Sequence, residues 1–154
     1  MAHRSIVKLG DDILRKKAKP VKVFDENLWE LLDDMGETMF KANGVGLAAP
    51  QIGVLKRIVV MEVNNMYIEM INPVITETFG EQIDEEGCLS VGKVREYVKR
   101  PERVTVKAQD RFGNEFTLTG EKLLARCICH ETDHLEGVLF IDKAIKDYVP
   151  KGDK

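Results

Sequence analysis

Long apolar runs are missing from this sequence. None approaches the ~20 residues needed to cross a bilayer, so a membrane-spanning helix is excluded. Cysteine is scarce as well: Cys88, Cys127 and Cys129 are the three in 154 residues. An odd, small number without a signal-like leader does not describe a disulfide framework. In a reducing compartment the three are buried hydrophobes, reactive thiols or metal ligands. No basic tract stands out. Lys and Arg are spread along the chain, 23 against 26 acidic residues, for a formal charge of −3, which argues against a nucleic-acid surface. The first residues, MAHRSIVKLGDD, lack an apolar h-region and carry acids that transit peptides avoid. A cytoplasmic location is the expectation. Repeats, low-complexity stretches and Ser/Gly linkers are absent too, so residues 1–154 are read as one domain.

What is present is the balance of an ordinary globular protein, 44% apolar and 32% charged. Leu28, Leu31, Leu32, Met35 and Met39 recur at helical spacing after Asp25, a residue suited to an N-cap, and Asn43-Gly44 supplies a stop. A first helix is therefore expected over 25–43. Arg57–Val63 (RIVVMEV) is β-rich, Asn64-Asn65 is a turn, and Tyr67–Ile71 is a strand ending at Asn72-Pro73. Val104–Ala108 and Phe116–Leu118 flank DRFGN as a hairpin. A second helix is expected over 121–136, with Leu123, Leu124, Cys127 and Ile128 on its apolar face and Gly137 as its end. Strands precede this helix rather than alternating with helices, so the fold class is α+β.

That second helix carries HETDH, residues 130–134. On an α-helix His130 and His134 lie one turn apart on the same face, about 6 Å between Cα atoms, so both imidazoles can reach one ion. Glu131 is about 100° around the axis, beside the ligands without being one, where it can act as base on water held by the ion. Polar residues on a solvated helix face would give the same string by chance.

A third ligand has to come from elsewhere. Cys127 shares the face, but seven residues to His134 is a rise of ~10.5 Å, too far for ligands converging on one ion. Cys88, in EEGCLS (85–90), sits in a Gly-containing turn where a thiol can be aimed at a site, although a small buried residue is the plainer reading. Residues 44–53, GVGLAAPQIG, put a small-residue backbone beside the amide of Gln51. Its N–H and C=O groups can pair with an extended peptide, and Gln51 can donate to a developing oxyanion. A tight connection after the first helix would also account for this loop.

Taken together, GVGLAAPQIG, EGCLS and HETDHLEG resemble, in order, the three motifs of the peptide deformylases. RIVVMEV, INPVI, KRPERVTVKAQD and GVLFID also resemble that family, so the likeness runs from about Val7 to Ile145. It implies a single catalytic domain of small antiparallel sheets packed around a central metal-binding helix, with an N-terminal amphipathic helix. It implies removal of the formyl group from formyl-methionyl nascent peptides, with release of formate. The residues so implied are Cys88, His130 and His134 as metal ligands with water in the fourth position, and Glu131 as general acid/base. Gln51 and the Leu89 N–H would form the oxyanion site. Gly46 would touch substrate backbone, Glu86 would hold the motif's acidic position, Val45, Cys127 and Ile128 would wall the side-chain pocket, and Arg95 would lie near substrate. One divalent ion per chain is implied, usually Fe²⁺, with Zn²⁺, Ni²⁺ or Co²⁺ accepted by the same donors. A monomer in transient contact with the ribosome is the implied setting.

The chain departs from the family pattern in places. Gly92-Lys93 stands where many relatives have Pro-Gly, and Cys129 stands where Gln is common. The tail after Asp147 is short, which argues against an extended C-terminal helix for ribosome docking, and His3, far from the motifs, is read as a surface residue. Competing readings are a zincin-like endopeptidase, a binding-only relative, and a structural metal site. The last needs a fourth protein ligand that the motifs do not offer.

Overall fold

The computed structural model describes residues 4–150; His3 and its expected surface position lie outside them. The first helix, α1 (Glu26–Lys41), begins where expected: the Asp25 carboxylate accepts from the Leu28 N–H at 3.3 Å. Asn43, at φ 57°, ends it, a left-handed conformation that asparagine tolerates. Seven strands follow, all paired antiparallel. These are β1 (Gly46–Ala48), β2 (Ile58–Val63), β3 (Met66–Phe79), β4 (Gln82–Glu86), β5 (Glu96–Arg100), β6 (Arg103–Gln109) and β7 (Glu115–Glu121). Five form one sheet in the order β1-β2-β3-β6-β7, and β4 pairs with β5 in a second. The second helix, α2, spans Leu123–Leu135.

The five-stranded sheet is packed on both faces. Val59, Met61 and Val63 of β2 join the core against α2, whereas Ile58 and Val60 join the one against α1. Successive strand residues point to opposite faces, so a strand covered on both sides reads as the continuous run IVVMEV rather than an alternation. The β2–β3 hairpin turns on Asn64 and Asn65, at φ 54° and 65°, the paired positive φ of a type I′ turn.

Two boundaries differ from expectation. The strand expected to stop at Asn72-Pro73 continues as β3 to Phe79. Pro73 cannot donate to a ladder, but the register shifts between Ile71 and Val74 take it out of the pairing. Asn72, at φ 53°, turns its amide to the Val21 backbone and to Gln109 instead. The second helix starts two residues later than expected, because Glu121 still pairs with Arg103 and Lys122 turns the chain at φ 55°. The β4–β5 pair was not foreseen at all.

At its other end α2 closes on Gly137, at φ 76°, whose N–H donates to the His134 carbonyl at 3.1 Å. A Cβ here would lie 2.6 Å from the Arg15 carbonyl carbon. Gly137→Ala is therefore expected to destabilise the fold by roughly 3 kcal/mol, combining left-handed backbone strain with backbone crowding. A urea midpoint equal to that of the parent would contradict this.

Candidate active site

Of the thirteen residues of α2, ten are buried, among them Arg126, His130, Glu131 and His134. Buried charged side chains are the informative exception to apolar packing, and Arg126, His130 and Glu131 gather at one cavity, with His134 buried behind them. It has a volume of about 470 Å³ and is lined from three directions: residues 43–46 with Gln51, residues 85–89 with Gly92 and Arg95, and Leu123, Arg126, Cys127, His130 and Glu131 of α2.

The structure brings Cys88 to the two histidines. The potential ligand atoms of Cys88, His130 and His134 all lie within 4.8 Å of one another, and Cys88 Sγ is 3.4 Å from His134 Nε2. His134 Nδ1 is buried and makes no hydrogen bond to the described residues, so the ring's polar contact is directed at the thiol. Burial holds the His134 imidazole well below its usual range, in the neutral form that a metal ligand requires. A thiol and two imidazoles, convergent and largely dry, fit a divalent transition metal. Cys127, by contrast, directs Sγ toward the Val45 carbonyl at 3.9 Å, and burial pushes its thiol up. It belongs to the wall.

Glu131 is 4% exposed. Its Oε1 has no hydrogen-bond partner among the described residues, and Oε2 packs so close to the Gly46 backbone that a Cβ there would lie 2.5 Å away. Burial, opposed by His130, pushes the Glu131 carboxyl up to about 7. Gln51 is fixed from both sides: Oε1 accepts from the Ala48 N–H at 2.9 Å, and Nε2 points at Ser90 Oγ (3.2 Å) and Cys88 Sγ (3.4 Å). The amide donor thus faces the Cys88 thiol.

Glu86 closes the site from behind. Its Oε1 accepts from His130 Nδ1 and from Arg100 Nη2, each at 2.9 Å; its Oε2 accepts from Arg100 Nε at 2.9 Å and Arg126 Nη1 at 2.5 Å. Burial disfavours its charge, but the hydrogen bonds from Arg100 and His130 outweigh that and bring the carboxyl down to about 2. Both oxygens are fully engaged by protein, so Glu86 lines the cavity without a free oxygen for substrate. Arg95 does reach the rim, with Nη1 over Gly87. Val45 stands half exposed at the mouth, and Leu89 lines the cavity beside Gly44.

One expectation is corrected. Ile128 is not among the lining residues; it is wholly buried in the core between α2 and the sheet. Next to Cys127 in sequence, it sits about 100° further round the helix, and the wall positions go to Leu123 and Arg126. Ser90, Arg100, Leu123 and Arg126 were all missed. Only Arg126 carried a readable signal, lying four residues before His130 on the same helical face.

The comparisons with known proteins point to one family. The family model described as polypeptide deformylase matches residues 3–148. The peptide deformylase of Caldicellulosiruptor bescii is 58% identical over 146 residues, which is 95% of this chain and 88% of that one. Among solved structures, the peptide deformylase from Legionella pneumophila superposes with a TM-score of 0.91 at 51% identity, covering 94% of this chain and 88% of that chain. The one from Thermotoga maritima gives 0.92 at 43%, covering 94% and 99%. Matched by the family model over residues 3–148, and with a convergent thiol and two imidazoles beside a buried glutamate and an amide donor, this chain belongs to the polypeptide deformylases, the metal-dependent hydrolases that remove the N-terminal formyl group from nascent peptides.

Proposed function

We propose that Cys88, His130 and His134 hold one divalent ion, Fe²⁺ in the cell, and that Glu131, Gln51 and the Leu89 N–H carry out formyl hydrolysis beside it. The observation that supports this most directly is the buried Glu131 carboxylate, without a partner for Oε1, next to three convergent donor atoms. When bound, the ion supplies Lewis acidity, making water a competent nucleophile near neutral pH. Glu131 takes a proton from the attacking water as oxygen adds to the formyl carbon. It then gives a proton to the departing nitrogen, so that the C–N bond breaks into formate and a free amine. Gln51 Nε2 and the Leu89 N–H donate to the oxyanion as it forms.

Around this centre, Gly46 admits the substrate backbone because a side chain there would collide with Glu131. Val45 and Cys127 contact the methionine side chain, and Arg95 lies along the peptide beyond it. Glu86 holds His130 rather than substrate. Fe²⁺, Zn²⁺, Ni²⁺ and Co²⁺ all suit a thiolate with two imidazoles, and Fe²⁺ is the ion that the family resemblance implies. We further propose that the chain works as a single catalytic domain and a monomer in the cytoplasm, meeting formyl-methionyl chains in transient contact with the ribosome. No helix among the described residues is long and apolar enough to cross a membrane.

The test is formate release from formyl-Met-Ala-Ser by protein prepared without oxygen and loaded with Fe²⁺ or Ni²⁺. One formate per free amine is expected. A folded, metal-loaded sample that releases none would sink the proposal.

A further inference from the structure

Two arginines converge on one carboxylate behind the site, and the assigned chemistry uses neither. Glu86, Arg100 and Arg126 have side chains 4%, 2% and 5% exposed. Asp133, just before His134, takes the third arm of Arg100 at 2.6 Å. Buried ions are costly unless each is matched. Arg100 already matches Glu86 in a bidentate pair, with Nε and Nη2 on its two oxygens. Lys143 reaches Asp133 from the rim at 3.1 Å. Both Glu86 oxygens thus have a donor from Arg100 before Arg126 is added. The second guanidinium calls for another explanation.

Position supplies one. Arg126 precedes His130 by four residues, so the two side chains leave α2 from the same face one turn apart. They hold Glu86 from its two ends, His130 Nδ1 on Oε1 and Arg126 Nη1 on Oε2. The same Nη1 also donates to the Val98 carbonyl of β5 at 3.0 Å. The carboxylate is stapled across one helical turn and cannot swing. With Nδ1 of His130 engaged by Glu86, Nε2 is the ring nitrogen left for a ligand. Glu86 ends β4 two residues before Cys88. The contact that fixes the ring therefore also sets the spacing between the thiol and the helix.

We propose that Arg126 is a positioning residue for the metal site. Acting through Glu86, it fixes the His130 ring and the distance from Cys88 to α2, so that the three donors are aligned before an ion arrives. This rests on the proposed ligand set. Arg126 touches neither metal nor reacting atoms, and its place in the cavity wall follows from where Glu86 has to be held.

The experiment compares Arg126→Met, Arg126→Gln and Arg126→Lys with the parent in the full chain, using Co²⁺ as the probe. Affinity is read by competition with a chelator, ligand geometry by the Co²⁺ d–d absorption bands, and folding by circular dichroism. Arg126→Met and Arg126→Gln are expected to fold and to bind Co²⁺ about 10–100-fold more weakly, as outer-shell losses do, with displaced d–d bands. Arg126→Lys, which keeps a charged donor for Oε2, is expected to recover most of the affinity. With the site saturated, KM should move less than Co²⁺ affinity. If either neutral variant folds and binds Co²⁺ within twofold of the parent with an unchanged spectrum, the inference fails. A change in KM alone would equally overturn it and make Arg126 a substrate-contacting residue. If the parent takes up no Co²⁺, or Cys88→Ala retains it undiminished, the ligand set itself fails and takes this inference with it.

Discussion

Glu131→Gln is expected to lower formate release by about 10²–10⁴-fold, the usual contribution of a positioned acid/base, while the protein still takes up one divalent ion per chain. The substitution is close to isosteric, and Oε2 fills the space against the Gly46 backbone that an amide would also fill. What is lost is the ability to accept and return a proton. Stability should not fall with activity. Glu131 is buried, its Oε1 has no partner among the described residues, and burial already pushes its carboxyl up to about 7. Exchanging such a group for a neutral amide removes a desolvated charge without breaking a hydrogen bond that the structure contains. The combination is diagnostic: metal content unchanged, thermal midpoint unchanged or higher, turnover nearly gone. Full turnover in a metal-replete Glu131→Gln sample would show that another group moves the proton.

Glu86→Ala should show the opposite balance, with the fold suffering first. The substitution removes the acceptor shared by Arg100, Arg126 and His130 and leaves two guanidinium groups buried beside a cavity. Breaking a buried pair by deleting one partner typically costs about 3–5 kcal/mol, a large share of a small domain's total stability. Urea titration should find a midpoint lowered accordingly, and a loss below about 1 kcal/mol would contradict the network as drawn. The linkage has a definite sign. The carboxyl is held at about 2 in the folded protein against an ordinary 4.5. Its stabilisation is therefore complete above about pH 4.5 and is lost as pH falls toward 2. Glu86→Gln keeps the shape and removes that portion of the acid sensitivity, so its stability should vary less than the parent's over the same interval.

The parts of the molecule legible in the sequence were those set by near neighbours. The α1 stripe, the Asn64-Asn65 turn and the His130–His134 spacing each depend on residues within one or two turns of one another. β3 was cut short at Pro73 because a proline normally ends a strand, and only the bulge between Ile71 and Val74 shows how this one is accommodated. The β4–β5 pairing was not legible because QIDEE and EYVKR are rich in charge; the residues that make them strands are their partners in each other. Helical geometry ruled Cys127 out as a third donor, and the family resemblance pointed to Cys88. The shell behind it did not. Gln51 meets Ser90 across 39 positions, and Glu86 meets Arg126 across 40. No local pattern encodes such pairs. Ile128 shows the reverse error: a position one residue off on a helix faces another side, and the cavity wall passed to Arg126.

The distance along the chain between Cys88 and His130 has a further consequence. They are 42 positions apart, and the segment between them contains β5, β6, β7 and the first two turns of α2. Tying two such points together restricts the unfolded chain by about 4 kcal/mol in a loop-closure estimate. An ion seated there would be a reversible cross-link as well as a reagent, spanning three strands of a protein that has no covalent one. Its departure would open that loop at the same moment as it silenced the chemistry, so that unloaded copies would be the first offered to proteolysis.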